Sequence, residues 1–295
     1  MVARQKLSPL IVILGETASG KSAIALELAK KFNGEIINAD SWSVYNGFDI
    51  GTAKPSLKEQ QEIKHHLLDV ADPKDGFSAA IFKRLAIEAI DNINKKGKIA
   101  ILCGGTGLYI DSIIYDYSFL PPSSKQLRDK YNSMTLDEIK NEVKNQNIDT
   151  DGIDLGNKRR LIRLLENDGV RPASKEIRDN LILIGLKIDI DILTKNLESR
   201  VDLMFERGLE NEVFKLSEKY GWDIESMKGI GYREFKPYFE GKQTIEETRK
   251  LIILHSLQLA KKQRTWFKRN NSIQWLSNRE EIIVSVTTHL NKLNV

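Results

Sequence analysis

The feature that most constrains this chain is a glycine-rich octapeptide, the phosphate loop, in which residues 15–22 read Gly-Glu-Thr-Ala-Ser-Gly-Lys-Ser. It matches the pattern G-x-x-x-x-G-K-[ST]. A β-branched apolar run precedes it at residues 10–14, and residues 22–31 after it have the apolar spacing of an amphipathic helix. In this context free backbone N–H groups and the positive end of the helix hold phosphate oxygens. The loop therefore predicts a di- or triphosphate ligand, with Lys21 as a mobile cation and the Ser22 hydroxyl as a Mg²⁺ ligand.

Short apolar runs alternate with helical patterns around this loop. Runs at residues 35–39 and 98–103 end in polar or glycine turns, residues 79–95 between them have a helical period, and residues 181–186 form a further run. The alternation predicts an α/β fold, a parallel sheet with helices on both faces. Because the carboxyl ends of parallel strands meet at one edge, we expect the phosphate loop, Asp40 and Thr106 to converge there.

A prolyl-prolyl stretch at residues 121–124 interrupts the alternation. From there to about residue 180 the sequence is polar and helical, with a capping box formed by Thr135 and Glu138 and a further helical pattern at residues 158–166. Helical patterns alone follow the last apolar run. We therefore expect a phosphate-loop core made of residues 1–120 and 181–295, with an inserted all-helical subdomain at residues 121–180.

Composition limits the class of protein to which the chain can belong, but it does not identify a binding partner. The chain has 45 Lys and Arg against 41 Asp and Glu, a net charge of +4 that permits an anionic partner without requiring one. The single cysteine, Cys103, excludes an internal disulfide and a four-thiolate zinc site, and it favours a reducing, cytoplasmic setting. The apolar stretches are too short for a membrane span, so we expect no membrane partner.

Two side chains after the predicted strands admit more than one interpretation. Asp40 can act as a general base or hydrogen-bond acceptor, or it can simply form an Asx turn. Thr106 lies in a Gly-Gly-Thr-Gly turn, which suits ligand contact and tight turning equally well. The turn after Cys103 lacks the acidic residue typical of nucleotide triphosphatases, which disfavours an ATPase. A small-metabolite kinase and a catalytically silent RNA-binding protein remain the alternatives to a transferase, and intact Lys21, Ser22 and Asp40 argue against the silent protein.

Further blocks have a specific order and spacing. They are Asp40-Ser41 with Tyr45, residues 47–55 (Gly-Phe-Asp-Ile-Gly-Thr-Ala-Lys-Pro), residues 66–69 (His-Leu-Leu-Asp), residues 104–109 (Gly-Gly-Thr-Gly-Leu-Tyr), Arg160-Leu161 with Arg163, residues 200–202 (Arg-Val-Asp), residues 229–233 (Gly-Ile-Gly-Tyr-Arg) and residues 260–267 (Ala-Lys-Lys-Gln-Arg-Thr-Trp-Phe). The Asp-Ile-Gly-Thr-Ala-Lys-Pro sequence has no generic phosphate-loop explanation. Over residues 10–267 the chain resembles the tRNA dimethylallyltransferase family, also called tRNA isopentenyltransferases.

The resemblance implies an enzyme that transfers a dimethylallyl group from dimethylallyl diphosphate to the exocyclic N6 amine of an adenosine. The adenosine lies 3′ of the anticodon in tRNAs that read codons beginning with U, and diphosphate is released. The implied cofactor is Mg²⁺, and the implied partners are tRNA and dimethylallyl diphosphate. The implied role of the helical insertion at residues 121–180 is to grip the tRNA. We expect the enzyme to be a monomer.

The resemblance also implies roles for individual residues. The catalytic residues would be Asp40, Thr106 and Lys21, and Ser22 would hold the metal. Diphosphate contacts would come from Gly15, Glu16, Thr17, Ala18, Ser19, Gly20, Lys21, Ser22 and Arg233. Contacts with tRNA would come from Asp40, Ser41, Trp42, Ser43, Thr106, Arg128, Arg159, Arg160, Leu161, Ile162 and Arg163. Four positions depart from the family pattern: Glu16 replaces a common proline, Ser43 and Arg159 stand where glutamine is frequent, and Leu257 replaces an arginine.

Overall fold

The structure is a computed structural model that describes residues 8–121, 123–171 and 176–293. It contains two compact units. The larger unit is formed by the residues up to Ile114 together with the segment from Ile177 onward, and the smaller unit spans Tyr115–Glu176.

The larger unit is built on one parallel sheet. Its strands are β1 (Leu10–Leu14), β2 (Gly34–Asn38), β3 (His65–His66), β4 (Ile99–Gly104), β5 (Leu181–Leu186) and β6 (Gln274–Leu276). They lie in the order β3-β2-β4-β1-β5-β6, and every pairing between neighbours is parallel. This arrangement confirms the predicted α/β fold. The four predicted runs are the inner strands, and the two short edge strands, β3 and β6, were not predicted.

Helices connect and cover the strands. In chain order they are α1 (Lys21–Lys31), α2 (Leu57–Glu62), α3 (Ala79–Lys95), α4 (Gly107–Ile114), α5 (Lys125–Ser133), α6 (Leu136–Asn145), α7 (Lys158–Leu165), α8 (Ile190–Glu206), α9 (Leu209–Tyr220), α10 (Lys236–Phe239), α11 (Ile245–Phe267) and α12 (Arg279–Lys292). Short 3-10 helices lie at Glu225–Lys228 and Arg233–Phe235. Within the described part of the chain, none of these helices has both the length and the apolar character that crossing a bilayer requires.

Two apolar clusters fix the site-bearing segments of the larger unit. One packs α1 and α12 against β1, β2, β4 and β5, and strand β1 is buried over its whole length because it lies between β4 and β5. The other joins the segment around Phe48 to α8, α9 and α11 through the buried side chains of Tyr232 and Phe235. This second cluster holds the Asp-Ile-Gly-Thr-Ala-Lys-Pro segment in place.

The smaller unit is helical, and it has a core of its own. Tyr131, Ile139, Val143, Leu161, Ile162 and Leu165 form that core. The predicted capping box is present at the start of α6, where the hydroxyl of Thr135 accepts from the N–H of Glu138 and the Glu138 carboxylate accepts from the N–H of Thr135. Reciprocal bonds of this kind satisfy two N–H groups that a helix start otherwise leaves open.

The boundaries of the smaller unit differ from the expected 121–180. Its described helices begin only at α5, but Tyr115 already belongs to it. At the other end, Arg178 belongs to the larger unit, because its N–H donates to the carbonyl of Ile114 at 2.8 Å and its guanidinium donates to the carbonyl of Ser8 at 2.7 Å. These bonds anchor the chain to the larger unit before β5 begins.

Candidate active site

Three sequence features meet at the carboxyl ends of β1, β2 and β4. The phosphate loop follows β1, Asp40 follows β2 and Thr106 follows β4. The N–H of Thr106 donates to the carbonyl of Ala39 at 3.1 Å, and the N–H of Ser41 donates to Thr106 Oγ1 at 3.0 Å. Gly104 is required here, because a Cβ at this position would lie 2.2 Å from the Ala39 carbonyl oxygen. The structure therefore brings Asp40, Ser41 and Thr106 together.

The phosphate loop has the backbone geometry of an anion cradle. Ala18 and Gly20 adopt positive φ angles of 60° and 89°, and the N–H of Ser19 donates to the carbonyl of Glu16 at 3.2 Å. Gly20 is the N-cap residue of α1 and supplies no side-chain cap. The first N–H groups of α1 are therefore available to an anion at the positive end of the helix.

Two side chains of the loop suit the same ligand. Lys21 Nζ donates to the carbonyl of Glu16 at 3.0 Å, and burial lowers the pKa of Lys21, an effect that neighbouring Asp40 and Glu16 oppose. Ser19 Oγ is buried and has no hydrogen-bond partner in the described ranges. A phosphate oxygen would accept a hydrogen bond from the Ser19 hydroxyl, and its negative charge would favour the protonated form of Lys21.

Asp40 forms a turn and also faces a pocket. Its Oδ1 accepts from the N–H of Trp42 at 2.9 Å and from the N–H of Ser43 at 3.4 Å, and its own N–H donates to Asn38 Oδ1 at 3.3 Å. Sequence position alone left the Asx turn and the functional role as alternatives. The structure contains the turn, and it also places the Asp40 carboxylate in the lining of two pockets. The turn bonds use Oδ1 and so orient the carboxylate.

The two pockets share Thr17, Asp40, Thr52 and Arg200, and each has an empty volume of about 610 Å³, part of which is open to solvent. The first, the polar pocket, contains loop side chains and polar groups of the neighbouring strands. Its lining includes Lys21, Ser22, Asn38, Ser43 and Cys103. The second, the apolar pocket, has a wall of Trp42, Leu197, Val201, Met204, Ile230, Ile252 and Leu259. A charged ligand group and an apolar one can therefore lie side by side, with Asp40 at their junction.

Sequence reasoning did not assign a role to Arg200, which lies at this junction. Its guanidinium donates to Thr17 Oγ1 at 3.0 Å and to the carbonyl of Thr52 at 3.4 Å. Burial lowers the pKa of Arg200, and the nearby Asp40 carboxylate acts in the opposite direction. A signal was available in the sequence, because Arg200 falls seven residues after Leu193 on the otherwise apolar stripe of α8.

The end of α11 also reaches the phosphate loop, and this contact was not predicted. Gln263 accepts from the N–H of Thr17 at 2.8 Å and donates to the carbonyl of Gly105 at 3.1 Å. Arg264 forms a two-bond ion pair with the buried Glu16, with Nη2 2.8 Å from Oε2. Glu16 was predicted to contact diphosphate. Its carboxylate instead pairs with Arg264, and its backbone carbonyl accepts from Lys21 Nζ.

The remaining predicted residues of the larger unit divide into two groups. Trp42 lines the apolar pocket and the buried Ser43 lines the polar pocket. Arg233 lines neither of these pockets. Its Nε donates to Glu234 Oε1 at 2.9 Å, and its side chain is 46% exposed. The structure therefore does not bring Arg233 to the phosphate loop.

The predicted tRNA-binding arginines of the smaller unit lie on α5 and α7. Arg128 and Arg163 both pair with the carboxylate of Glu166, and Arg163 Nη2 also donates to the carbonyl of Leu120 at 2.7 Å. Arg159 and Arg160 are exposed at the start of α7. Arg128 and Arg163 thus hold the unit together through Glu166, and the side chains of Arg159 and Arg160 are the more exposed ones.

Leu161 and Ile162 require a correction. Both were predicted to contact tRNA, but their side chains are 0% and 2% exposed and pack in the core of the smaller unit. The apolar face of an amphipathic helix turns inward, so the side chains of these two residues stabilise α7 and do not face a partner.

The donor set at the loop is compatible with Mg²⁺ held mainly by a ligand. Ser22 lines the polar pocket together with Lys21 and Asp40. Among the described residues no group of three or more His, Cys, Asp and Glu side chains is arranged to hold a metal. Because Mg²⁺ typically keeps several waters and takes substrate phosphate oxygens, one protein hydroxyl with a bound diphosphate is a fitting set.

Comparison with known proteins places this architecture in a family. The model of the family described as IPP transferase matches residues 43–270. Among curated relatives, tRNA dimethylallyltransferase of Anoxybacillus flavithermus is 38% identical over 284 residues, covering 92% of this chain and 91% of the relative. The protein of the same name from Bacillus subtilis is 35% identical, covering 90% of each chain.

Solved structures agree with the sequence relatives. The full-length tRNA isopentenylpyrophosphate transferase of Bacillus halodurans superposes with a TM-score of 0.76 at 34% identity, covering 97% of this chain and 98% of that one. A eukaryotic dimethylallyltransferase, described as acting on tRNA, gives a TM-score of 0.76 at 28% identity and covers 88% of this chain and 70% of its own. This chain belongs to the IPP transferase family.

Proposed function

We propose that the protein transfers a dimethylallyl group from dimethylallyl diphosphate to the N6 amine of the adenosine 3′ of the anticodon, in tRNAs that read codons beginning with U. The observation that carries the proposal is the junction of the two pockets. Asp40 and Arg200 line both the polar pocket at the phosphate loop and the apolar pocket beside it. An allylic diphosphate has the matching form, because a charged leaving group is joined to a short apolar chain.

The polar pocket serves the leaving group. As the allylic C1–O bond breaks, its electron pair remains with the diphosphate, so negative charge grows there and positive charge grows on the allyl carbon. The N–H groups of the loop, Lys21 and Arg200 are donors that are already in place before reaction, which is the arrangement that stabilises developing charge. With Mg²⁺ bound at Ser22, the metal would supply further charge neutralisation to the diphosphate oxygens.

Asp40 serves the nucleophile. The adenine amine forms the new N–C bond and must lose one proton, and a carboxylate at the junction of the pockets can accept that proton. Asp40 Oδ1 is held by the N–H groups of Trp42 and Ser43, which orients the carboxylate toward the pockets. Thr106 fixes the same turn through Ser41. The adenosine must leave its stack to reach this site.

The exposed cations of the smaller unit serve tRNA affinity. Arg159 and Arg160 at the start of α7 can contact phosphates of the anticodon stem. We infer that this unit grips tRNA, that the protein acts as a monomer in the cytoplasm, and that Mg²⁺ is its cofactor.

A metabolite kinase is not favoured, since the relatives are named tRNA dimethylallyltransferase. The test is to incubate the pure protein and Mg²⁺ with undermodified tRNA and dimethylallyl diphosphate, and separately with ATP. Digested nucleosides are then analysed by mass spectrometry. We expect a prenyl mass gain on adenosine that needs only the first donor. No gain, together with ATP hydrolysis or phosphoryl transfer to a small metabolite, would overturn the proposal.

A further inference from the structure

Glu212 on α9 has an unusual set of hydrogen-bond donors for a carboxylate. It accepts from three successive backbone N–H groups, at 3.2 Å from Asp49, 2.8 Å from Ile50 and 3.1 Å from Gly51. The hydroxyl of Tyr232 donates to the same carboxylate at 2.8 Å. Successive N–H groups that converge on one point form a strong and directional anion-binding site. Here the Glu212 carboxylate occupies that site in place of an anionic ligand.

These bonds fix a segment that leads directly into the active site. Gly51, the last of the three bonded residues, and Thr52, which follows it, line the apolar pocket. Gly51 lies so close to Tyr232 that a Cβ at residue 51 would be 2.5 Å from its ring, and Tyr232 is fully buried against Phe48, with ring centroids 4.7 Å apart. Glu212 thus holds both partners of this close contact.

The segment in turn positions Arg200. The carbonyl of Thr52 accepts from Arg200 at 3.4 Å, and the other end of the guanidinium donates to Thr17 in the phosphate loop at 3.0 Å. A guanidinium is a planar fork, so its direction depends on acceptors at fixed places. If the Thr52 carbonyl shifts, Arg200 loses one of its two acceptors.

We propose that Glu212 is a positioning residue that holds Arg200 in the geometry needed to bind the diphosphate leaving group. The inference rests on the proposed function, because it assigns Glu212 to the diphosphate half of that reaction. Glu212 itself lines neither the polar nor the apolar pocket. It acts through residues 49–52.

A matched control lies on the same helix. Glu210 also accepts a tyrosine hydroxyl, that of Tyr238, at 2.8 Å, but no bond from residues 49–51 to Glu210 occurs in the described structure. Glu212→Gln and Glu210→Gln remove the same charge from the same helix, two positions apart. Only the first places an amide N–H group against backbone donors that need an acceptor.

The experiment measures inorganic pyrophosphate binding by calorimetry, with Mg²⁺ present, and tRNA binding and melting temperature in parallel. We expect Glu212→Gln to weaken pyrophosphate binding about tenfold and to raise the KM for the prenyl diphosphate similarly. Binding of tRNA and the affinity of Glu210→Gln for pyrophosphate stay near wild type. If Glu212→Gln does not fold, Glu212→Asp, which keeps the charge but shortens the reach, is measured in the same way.

Coupling to Arg200 separates positioning from general stabilisation. In an Arg200→Met background, Glu212→Gln should cause little further loss of pyrophosphate affinity, because the group that it positions is gone. Fully additive losses, or equal losses for Glu212→Gln and Glu210→Gln, would overturn the inference. If the wild type binds pyrophosphate but transfers no prenyl group, the proposed function is wrong. The pyrophosphate affinities of Glu212→Gln and Glu210→Gln would still test the role of Glu212. A wild type that does not bind pyrophosphate would overturn both.

Discussion

At the scale of single residues, Asp40 forms a local turn and has the proposed role of general base, and an amide substitution separates the two. Asp40→Asn keeps Oδ1 as the acceptor for the N–H groups of Trp42 and Ser43 but removes the negative charge. We expect the rate of prenyl transfer to fall by about 10²–10⁴-fold, the usual range for loss of a general base. Single-turnover kinetics at saturating tRNA measure it. Pyrophosphate and tRNA affinities serve as controls. A rate within about threefold of wild type would remove Asp40 as the base.

The ion pair between Glu16 and Arg264 neutralises a carboxylate in the phosphate loop. Glu16 is 5% exposed, so Arg264→Met would leave an unpaired carboxylate in the phosphate loop, where the proposed function has diphosphate bind. We expect Arg264→Met to weaken pyrophosphate binding about tenfold or more and to lower the melting temperature. Adding Glu16→Gln should restore most of both losses, because it removes the uncompensated charge.

Lys262→Met is the matched control for this pair, since Lys262 is an exposed cation on the same helix. It should leave pyrophosphate affinity near wild type if the effect of Arg264 is local. Equal losses from Arg264→Met and Lys262→Met would show that the overall charge of α11 is responsible. No recovery in the double variant would show that the unpaired Glu16 carboxylate is not the cause of the loss.

At the scale of elements, the inner strands could be predicted because each is a continuous apolar run, as in β1, which is buried along its whole length. The edge strands could not. β3 consists only of His65–His66, and β6 of three residues, so neither is long enough to show a period. The site was predictable where it follows strand ends, at Asp40 and Thr106. The spacing of Arg200 on the apolar stripe of α8 marks it as inward-facing, but its partner could not be predicted, because the bond to Thr17 joins residues 183 positions apart.

The amino end of β2 carries a buried carboxylate that links stability to pH. Glu35 is 2% exposed, and its carboxylate lies 2.7 Å from His66 Nε2 and 2.9 Å from Lys98 Nζ. Burial acts to raise the pKa of Glu35, but the hydrogen bonds from His66 and Lys98 and the charge of Lys96 outweigh it and lower the pKa to about 2. The resulting stabilisation is full above the ordinary carboxyl pKa of 4.5 and is lost as the pH falls toward 2.

We expect Glu35→Gln to lower the free energy of unfolding at pH 7 by roughly 3 kcal/mol, the value that linkage gives for a shift of this size. The difference from wild type should shrink between pH 4.5 and pH 2, where the wild-type carboxylate takes up its proton. Urea unfolding across this range measures it. Glu88→Gln, which removes an exposed carboxylate paired with Arg84 on α3, should change stability little at any pH. A constant difference between Glu35→Gln and wild type would contradict the linkage.

At the scale of the whole molecule, the proposed function requires both compact units to bind the same tRNA. The larger unit carries both pockets, and the smaller has its own apolar core and two exposed arginines, Arg159 and Arg160, at the start of α7. Phosphate contacts contribute affinity without reading sequence, so a role of the smaller unit in gripping tRNA should appear in the salt dependence of binding. Arg163 is unsuited to this test, because it also bonds Glu166 and the carbonyl of Leu120 inside the unit.

Arg160→Ala therefore gives the cleaner measurement. If Arg160 contacts one tRNA phosphate, the slope of log affinity against log salt should fall by about 1, and affinity at low salt should fall more than affinity at high salt. Fluorescence titration at several salt concentrations measures the slope. Lys144→Ala removes an exposed cation from α6 of the same unit and controls for net charge. If the lines for wild type and Arg160→Ala are parallel, Arg160 does not contact tRNA. A specific contact is lost only with Arg160, so Lys144→Ala should leave the slope unchanged. Equal changes in slope for the two variants would mean that tRNA responds to the overall charge of this unit.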